Sequence, residues 1–313
     1  MLAYIVRRIL STIPVMAVVA LFVFGLLHLS PGDPAAIIAG DTATPADIAR
    51  IHQALGLDEP LYLQFGSWVW RLLHGDLGIS IFTNLPVTTL IAQRIEPTVT
   101  LTISTLVVSV VVAIPMGVLA AWKAGSWIDR TVMVFAVLGF SVPVFVLAYV
   151  LIYLLAVRTD LLPVQGFVPL NHGLGPFLSH LVMPTLALAM VYTALIARMT
   201  RASMLDVLAQ DYIRTAQAKG LPNDKVLIGH ALKNAAVPIA TIIGIGVALL
   251  ISGVVVTETV FAIPGLGRLT VDAILRRDYP IIQGIILIFS AAYVLVNLLV
   301  DLSYTFLDPR IRY

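Results

Sequence analysis

The charged residues of this chain are few and grouped, and the grouping limits what chemistry they can do. Residues 211–238, DYIRTAQAKGLPNDKVLIGHALKNAAVP, carry Arg214, Lys219, Lys225, His230 and Lys233 between two long apolar runs. Such a set makes and breaks no bonds; it reads either as a solvated turn that obeys the charge rule for membrane topology or as a folded handle between two spans. Glu258 and Asp301 lie near opposite ends of their helices. Glu258 either faces the mouth of a pathway or caps or pairs with Arg268, the plainer account, because buried carboxylates are ordinarily partnered. No Gly-x4-Gly-Lys-Ser/Thr phosphate loop occurs, since Lys219-Gly220 runs in the wrong order and follows no strand. His-Glu-x2-His and Gly-x-Ser-x-Gly patterns are absent too, and the six histidines are scattered. Zero cysteines remove disulfides, thiolate chemistry and cysteine metal sites. The chain is therefore expected to carry no catalytic set, metal or cofactor of its own. An ion gradient has no visible point of entry either, because no ionisable group sits at mid-depth of the apolar runs. Energy is expected from outside, and the basic segment is the place for it to enter.

The basic segment reads as a helix, a break and a second helix. Leu208, Tyr212, Thr215, Ala216 and Lys219 fall at helical spacing, Gly220 supplies a C-terminal stop, and Pro222 prevents simple continuation. Asn223 or Asp224 is placed to cap the second helix. From Lys225 the apolar positions Ile228, Leu232, Ala235 and Ala236 form a second stripe, which leaves Lys225, His230 and Lys233 for polar surroundings.

A chain that is 59% hydrophobic and 12% charged over 313 residues has too little polar surface to cover a water-soluble fold. Residues 9–29, 98–122, 129–157, 181–199, 239–259 and 281–300 each offer about 20 apolar residues, the length that crosses a hydrocarbon core. The first run is too long, and its end too poor a cleavage site, for a removed secretory signal. Pro115 and Pro143 are expected to bend their helices unless neighbours satisfy the freed carbonyls. Gly244, Gly246 and Gly253 allow close helix approach.

Residues 30–96 form a hydrophilic insertion with helix signals. Thr44 caps, Pro45 opens a helix, Asp47 suits its first turn, Ile48, Ile51 and Leu55 make a stripe, and Gly56 ends it. A second helix comes after Pro60, and its Tyr62, Phe65, Trp68 and Trp70 suit a membrane-water boundary. Residues 262–280 form a hairpin: a turn at Pro264-Gly265-Leu266-Gly267, a short helix over 269–277, and Asp278-Tyr279-Pro280 as its end. Lysine and arginine concentrate at the termini and in the 123–130 and 201–238 segments, which places both termini and the basic segment on the cytoplasmic side. A net charge of +2 gives no reason to expect a nucleic-acid partner.

Thr215-Ala216, Gly220 four residues after the alanine, and His230-Ala231-Leu232 resemble the EAA loop of ABC-importer permeases, in its peptide-permease form. The general form begins Glu-Ala-Ala and ends Leu-Pro, where this chain has Arg214-Thr215-Ala216 and Leu232-Lys233. The start MLAYIVRRIL, the LGLDEPLYLQFGSWVWRLLHGDLGIS stretch, ETVFAIPGLGRL from Glu258, Asp278-Tyr279-Pro280 and the ending LDPRIR are likewise similar to the dipeptide, oligopeptide and nickel branch. The immediate start of the first span and the large first loop look like the first of the two permease subunits that such systems usually encode.

The resemblance implies an all-α, six-span fold of the type I importer class over 1–313, with the 201–238 loop as the coupling element. It implies a second homologous permease, two ATPase subunits that hold ATP and Mg, an external substrate-binding protein and surrounding lipid. Arg214, Thr215, Ala216, Lys219, Gly220, Leu221, Lys225, His230, Leu232 and Lys233 are the expected ATPase-coupling residues. Glu258, Pro264, Gly265, Gly267, Arg268 and Asp278 are candidates for docking the binding protein, and Ser141, Ser252 and Thr257 for lining the path. Peptides are the expected cargo, with nickel or glutathione as alternatives. An ion-coupled carrier and a non-transporting scaffold are the rivals from other classes, distinguished by gradient-driven uptake and by absence of transport in a complete complex.

Overall fold

A computed structural model describes residues 2–29, 35–36, 44–46, 48–49, 52 and 58–307. Asp47, Ile51, Leu55, Gly56 and the 308–313 ending lie outside the described residues. Among the described residues the architecture is helical, and the one β feature is an isolated bridge between Ile79 and Pro86. In chain order the helices are α1 (Leu2–Leu29), α2 (Leu61–Leu73), α3 (Val87–Ala92), α4 (Ile95–Trp122), α5 (Trp127–Ser141), α6 (Val144–Leu151), α7 (Leu174–Leu208), α8 (Asp211–Ala218), α9 (Lys233–Val260), α10 (Leu266–Arg276) and α11 (Tyr279–Leu307). π-helical turns extend α6 over Ile152–Val157 and precede α9 over Lys225–Leu232.

Among the described residues, five stretches are long and apolar enough to cross a membrane: Val6–Leu27, Val87–Trp122, Leu174–Leu208, Lys225–Val260 and Tyr279–Thr305. Trp127–Ser141 and Val144–Val157 meet the same criterion only when taken together, and they join at 101°, which makes up to six crossings. The bend expected at Pro143 within 129–157 is thus realised as a full break. Val142 is extended (φ −87°, ψ 123°) ahead of Pro143, as the clash with a following proline ring demands. Pro115, by contrast, sits inside an uninterrupted α4. The two prolines look alike in sequence and behave differently in the fold.

Contacts divide the chain into two compact units. The larger holds Met1–Ile5, Arg94–Leu269 and Tyr293–Tyr313; the smaller holds Val6–Gln93 and Thr270–Ala292.

In the larger unit α7 is the axis, with 67% of its most apolar window buried. Small residues let the other helices close on it. Gly117 of α4 faces Thr200 and Ala197, Gly139 of α5 faces Met190 and Ala194, and Gly253 of α9 faces Leu188 and Tyr192; an added Cβ at any of these would press on its neighbour. Gly244 likewise receives Val300, while Gly246 meets Tyr192 at ordinary contact distance. The expected role of the α9 glycines is thereby realised. One core gathers Leu101, Ala148, Leu181, Leu188, Leu250, Val254 and Phe261. At one end of the bundle Asp129, in the first turn of α5, receives Arg201 Nε at 2.5 Å and Nη2 at 2.7 Å, and the Gly125 N–H at 2.9 Å. This fork pins the start of α5 to α7, as planar guanidinium geometry favours.

In the smaller unit, α2 packs against α1 through an aromatic trio: Phe24 lies 5.3 Å from Phe65 and 5.8 Å from Trp68, centroid to centroid. Gln283 Nε2 donates to the Val23 carbonyl at 3.1 Å. Gly284 accepts the close approach of Val87 and Ile91.

Candidate functional site

The basic segment is built as two helical pieces joined by a tight turn. Helix α8 ends in a Schellman turn: Gly220 at φ +76°, its N–H donating to Gln217 O at 2.9 Å, and the Leu221 N–H to Ala216 O at 3.3 Å. The glycine is needed for its backbone angle, since no heavy atom crowds the position of a Cβ. Past Pro222 the chain is helical again, and the Val226 N–H reaches the Pro222 carbonyl at 3.1 Å.

The expected second stripe is met at Ala235 and Leu232 but not at Ile228, and the first helix turns a residue inward that helical spacing from Leu208 did not single out. In α8 the one fully buried side chain is Ile213, while Tyr212 is 45% exposed and Thr215 and Lys219 face outward. A turn at Ala209-Gln210 separates α7 from α8 and resets the helical phase, so Leu208 cannot set the register of α8. In the second half Val226, Leu227, Ala231 and Ala235 are buried and Ile228 is 66% exposed. The backbone there is π-helical, and the wider turn rotates the inward face away from the α-helical spacing that singled out Ile228. Neither Asn223 nor Asp224 caps it: at the start of this segment Asp224 is already helical and makes no side-chain cap bond.

These residues form a cluster with the ends of three spans. Ile213, Val226, Leu227 and Ala231 pack with Ala121 of α4, Met204 of α7 and Ala235 and Ile239 of α9. Leu221 and Leu232 pack against its margin. Arg214, Thr215, Lys219, Gly220, Lys225, His230 and Lys233 are all outside the cluster's buried core, and Ala216 is likewise open to its surroundings only in part. Arg214 lies 3.7 Å from Asp211, an exposed pair of little energetic consequence. The handle therefore presents cations on one side and grips α4, α7 and α9 on the other.

At the opposite end of α4 and α9 the Glu258 carboxylate is fully buried. Thr98 Oγ1 donates to Oε1 at 2.5 Å and accepts the Leu266 N–H at 2.8 Å, and the Arg268 N–H donates to Oε2 at 2.9 Å. The carboxylate thus satisfies the free N–H groups at the start of α10, where the helix dipole also favours negative charge. The capping account of Glu258 is the one realised, through the Arg268 backbone. Gly265 and Gly267 exist to make room, because a Cβ on either would overlap the carboxylate. Thr98, read from sequence only as the start of a span, completes the clasp. Before it, α9 closes with Ala262 at φ +49° and the Ile263 N–H on the Glu258 carbonyl at 2.8 Å.

Four of the six candidate docking residues, Glu258, Gly265, Gly267 and Asp278, are buried and build the hairpin rather than its surface. Asp278 accepts from Ser80 Oγ at 2.6 Å and from the Ile81 N–H at 3.3 Å. Pro264 is exposed and Arg268 half-buried. Of the candidate path residues, Ser252 is exposed, Ser141 is exposed at the α5–α6 break with its hydroxyl on Val137 O, and Thr257 is fully buried with its hydroxyl on Gly253 O. Among the described residues no cluster of three potential metal ligands occurs.

Several apolar spans, with α7 central and buried in the larger unit and a basic segment packed on the ends of three of them, define a multi-pass membrane protein. Residues 113–313 match the family described as binding-protein-dependent transport system inner membrane component, and residues 1–104 match the N-terminal component of the same systems. The chain is 56% identical over 310 residues, 99% of each protein, to a probable peptide ABC transporter permease of Sinorhizobium fredii. It is 46% identical to a putative peptide transport system permease of Brucella abortus, over the full length of both. It is 41% identical to the dipeptide transport system permease DppB of Escherichia coli, over 100% of this chain and 99% of that one. Among solved structures, the inward-facing MetNI methionine ABC transporter superposes with a TM-score of 0.58 at 18% identity, covering 70% of this chain and 96% of that one; the likeness is one of fold. The chain belongs to the binding-protein-dependent transport system inner membrane component family. It is a membrane-spanning permease subunit of an ABC importer.

Proposed function

We propose that this permease carries di- or oligopeptides, paired with a second homologous permease, and is driven by two ATPase subunits that bind ATP and Mg and engage the handle. The full-length identity to permeases named for peptide transport carries the choice of cargo. An external binding protein delivers the peptide, and both termini and the handle are cytoplasmic. Arg214, Lys219, Lys225, His230 and Lys233 face acidic side chains of an ATPase, while Thr215, Ala216 and Gly220 let its backbone approach. Because Leu221 and Leu232 flank the buried cluster, movement of the handle is passed to α4, α7 and α9. Docking of the binding protein falls to Pro264 and Arg268, while Glu258, Gly265 and Gly267 hold that turn in shape. Ser141 and Ser252 stand on the path; Thr257 joins it only if α9 moves.

The test is uptake by the complete complex in proteoliposomes, with labelled dipeptide, longer peptide, nickel and glutathione offered separately with the cognate binding protein. Peptide uptake that requires ATP is the expected result. Uptake of nickel or glutathione alone would overturn the choice of cargo, and uptake driven by an ion gradient without ATPase subunits would overturn the mechanism.

A further inference from the structure

Helix α2 has three faces rather than two. Gln64, Phe65 and Trp68 turn inward, with Phe65 and Trp68 both against Phe24. Ser67, Arg71 and His74 form an exposed polar strip. Between these lie Tyr62, Leu63, Trp70 and Leu73, which are 73%, 48%, 65% and 75% exposed and fall within about 100° of arc at 100° per residue. A strip of this kind on a helix in water would be an unexplained apolar patch.

The depth of α2 decides what covers it. Phe24 lies three residues inside the end of the span Val6–Leu27, about 4.5 Å at 1.5 Å per residue. An independent contact agrees: Gln283, which bonds to the Val23 carbonyl, lies four residues inside the span Tyr279–Thr305, about 6 Å from its end. Helix α2 is thereby held at the hydrocarbon boundary, the level where Trp and Tyr rings are stabilised with one edge in acyl chains and one in headgroups. Arg71 and His74 on the adjoining strip suit the headgroup layer.

The geometry points to a lipid-binding surface: α2 is an interfacial helix whose Tyr62–Leu63–Trp70–Leu73 strip is immersed in the acyl-headgroup boundary of the leaflet at the far end of α1. The inference rests on the span assignment; the proposed orientation only names that leaflet as the outer one. It gives α2 a fixed height relative to the bilayer, independent of what the transporter carries.

The chain contains no cysteine, so single spin labels can be placed without background. Labels at Tyr62→Cys, Leu63→Cys, Trp70→Cys and Leu73→Cys, and at Ser67→Cys, Arg71→Cys and His74→Cys, would be read in the complete complex in phospholipid nanodiscs. All seven sites are exposed, which lets a label enter without disturbing the packing on Phe24. Collision with oxygen is expected to exceed collision with a water-soluble nickel chelate at the first four sites, with the ratio inverted at the other three. High nickel collision at all seven would place the strip in water and overturn the proposal. Low collision with both reagents at the first four would show a protein cover, either the binding protein or a second permease, and would overturn it equally. Neither outcome depends on which solute is transported.

Discussion

Ile213 holds the handle to the membrane bundle, and removing it gives the sharpest prediction. It is the one fully buried side chain of the eight-residue α8, and it packs with residues from α4, α7 and α9. A helix of that length has almost no stability alone, so its position depends on this contact. Ile213→Ala removes buried atoms and leaves a cavity, at a cost of about 2–5 kcal/mol, whereas Ile213→Val costs about 0.5–1.5 kcal/mol. At the lower figure for alanine the ratio of docked to undocked handle falls about 30-fold. The assay is solute transported per ATP hydrolysed by complexes in proteoliposomes, with affinity of the binding protein for its ligand as the control. Transport per ATP should fall slightly for valine and severely for alanine, with ligand affinity unchanged. An alanine variant that kept the wild-type ratio would refute the idea that the handle transmits force through this cluster.

Other consequences can be measured on the same preparations. Gly220→Ala should weaken coupling by imposing about 1–2 kcal/mol of backbone strain at φ +76°, and Gly220→Asn should recover part of the loss because asparagine tolerates that region; equal behaviour of the two in the transport-to-ATPase ratio would contradict the backbone argument. Glu258→Ala should lower thermal stability in detergent by about 1–3 kcal/mol for each donor left without a partner, Thr98 and the Arg268 N–H, and Glu258→Gln should lose less; the reverse order in unfolding scans would contradict the clasp. Removing only Asp129 or only Arg201 should cost about 3–5 kcal/mol, and the double substitution less than the sum, as a double-mutant cycle of denaturation midpoints would read.

The spans were legible because a run of about 20 apolar residues has one economical meaning in a membrane. The stop at Gly220 was legible because only a positive φ followed by Pro222 explains that pair. The inward faces of the handle were not, since nothing local marks the phase reset at Ala209-Gln210 or the π-helical turns over Lys225–Leu232. Pro115 and Pro143 could not be told apart for a similar reason: tertiary packing decides which proline breaks its helix. Glu258 was legible as a partnered carboxylate, but its hydroxyl partner Thr98 lies 160 residues away in the chain. Asp278 shows the opposite limit: a charge in an expected surface loop turned inward to a serine 198 residues distant.

Contact between the handle and an ATPase subunit is tested most directly by site-directed cross-linking. A single cysteine at Lys225→Cys, in a chain that has no other, would be paired with cysteines along the membrane-facing surface of the ATPase, in parallel with a photoreactive transported peptide. The expected result is a cross-link to the ATPase whose yield changes between nucleotide-free and ATP-bound complexes, with no peptide label on residues 211–238. A handle that takes the peptide label, or that never reaches the ATPase in either state, would contradict the account.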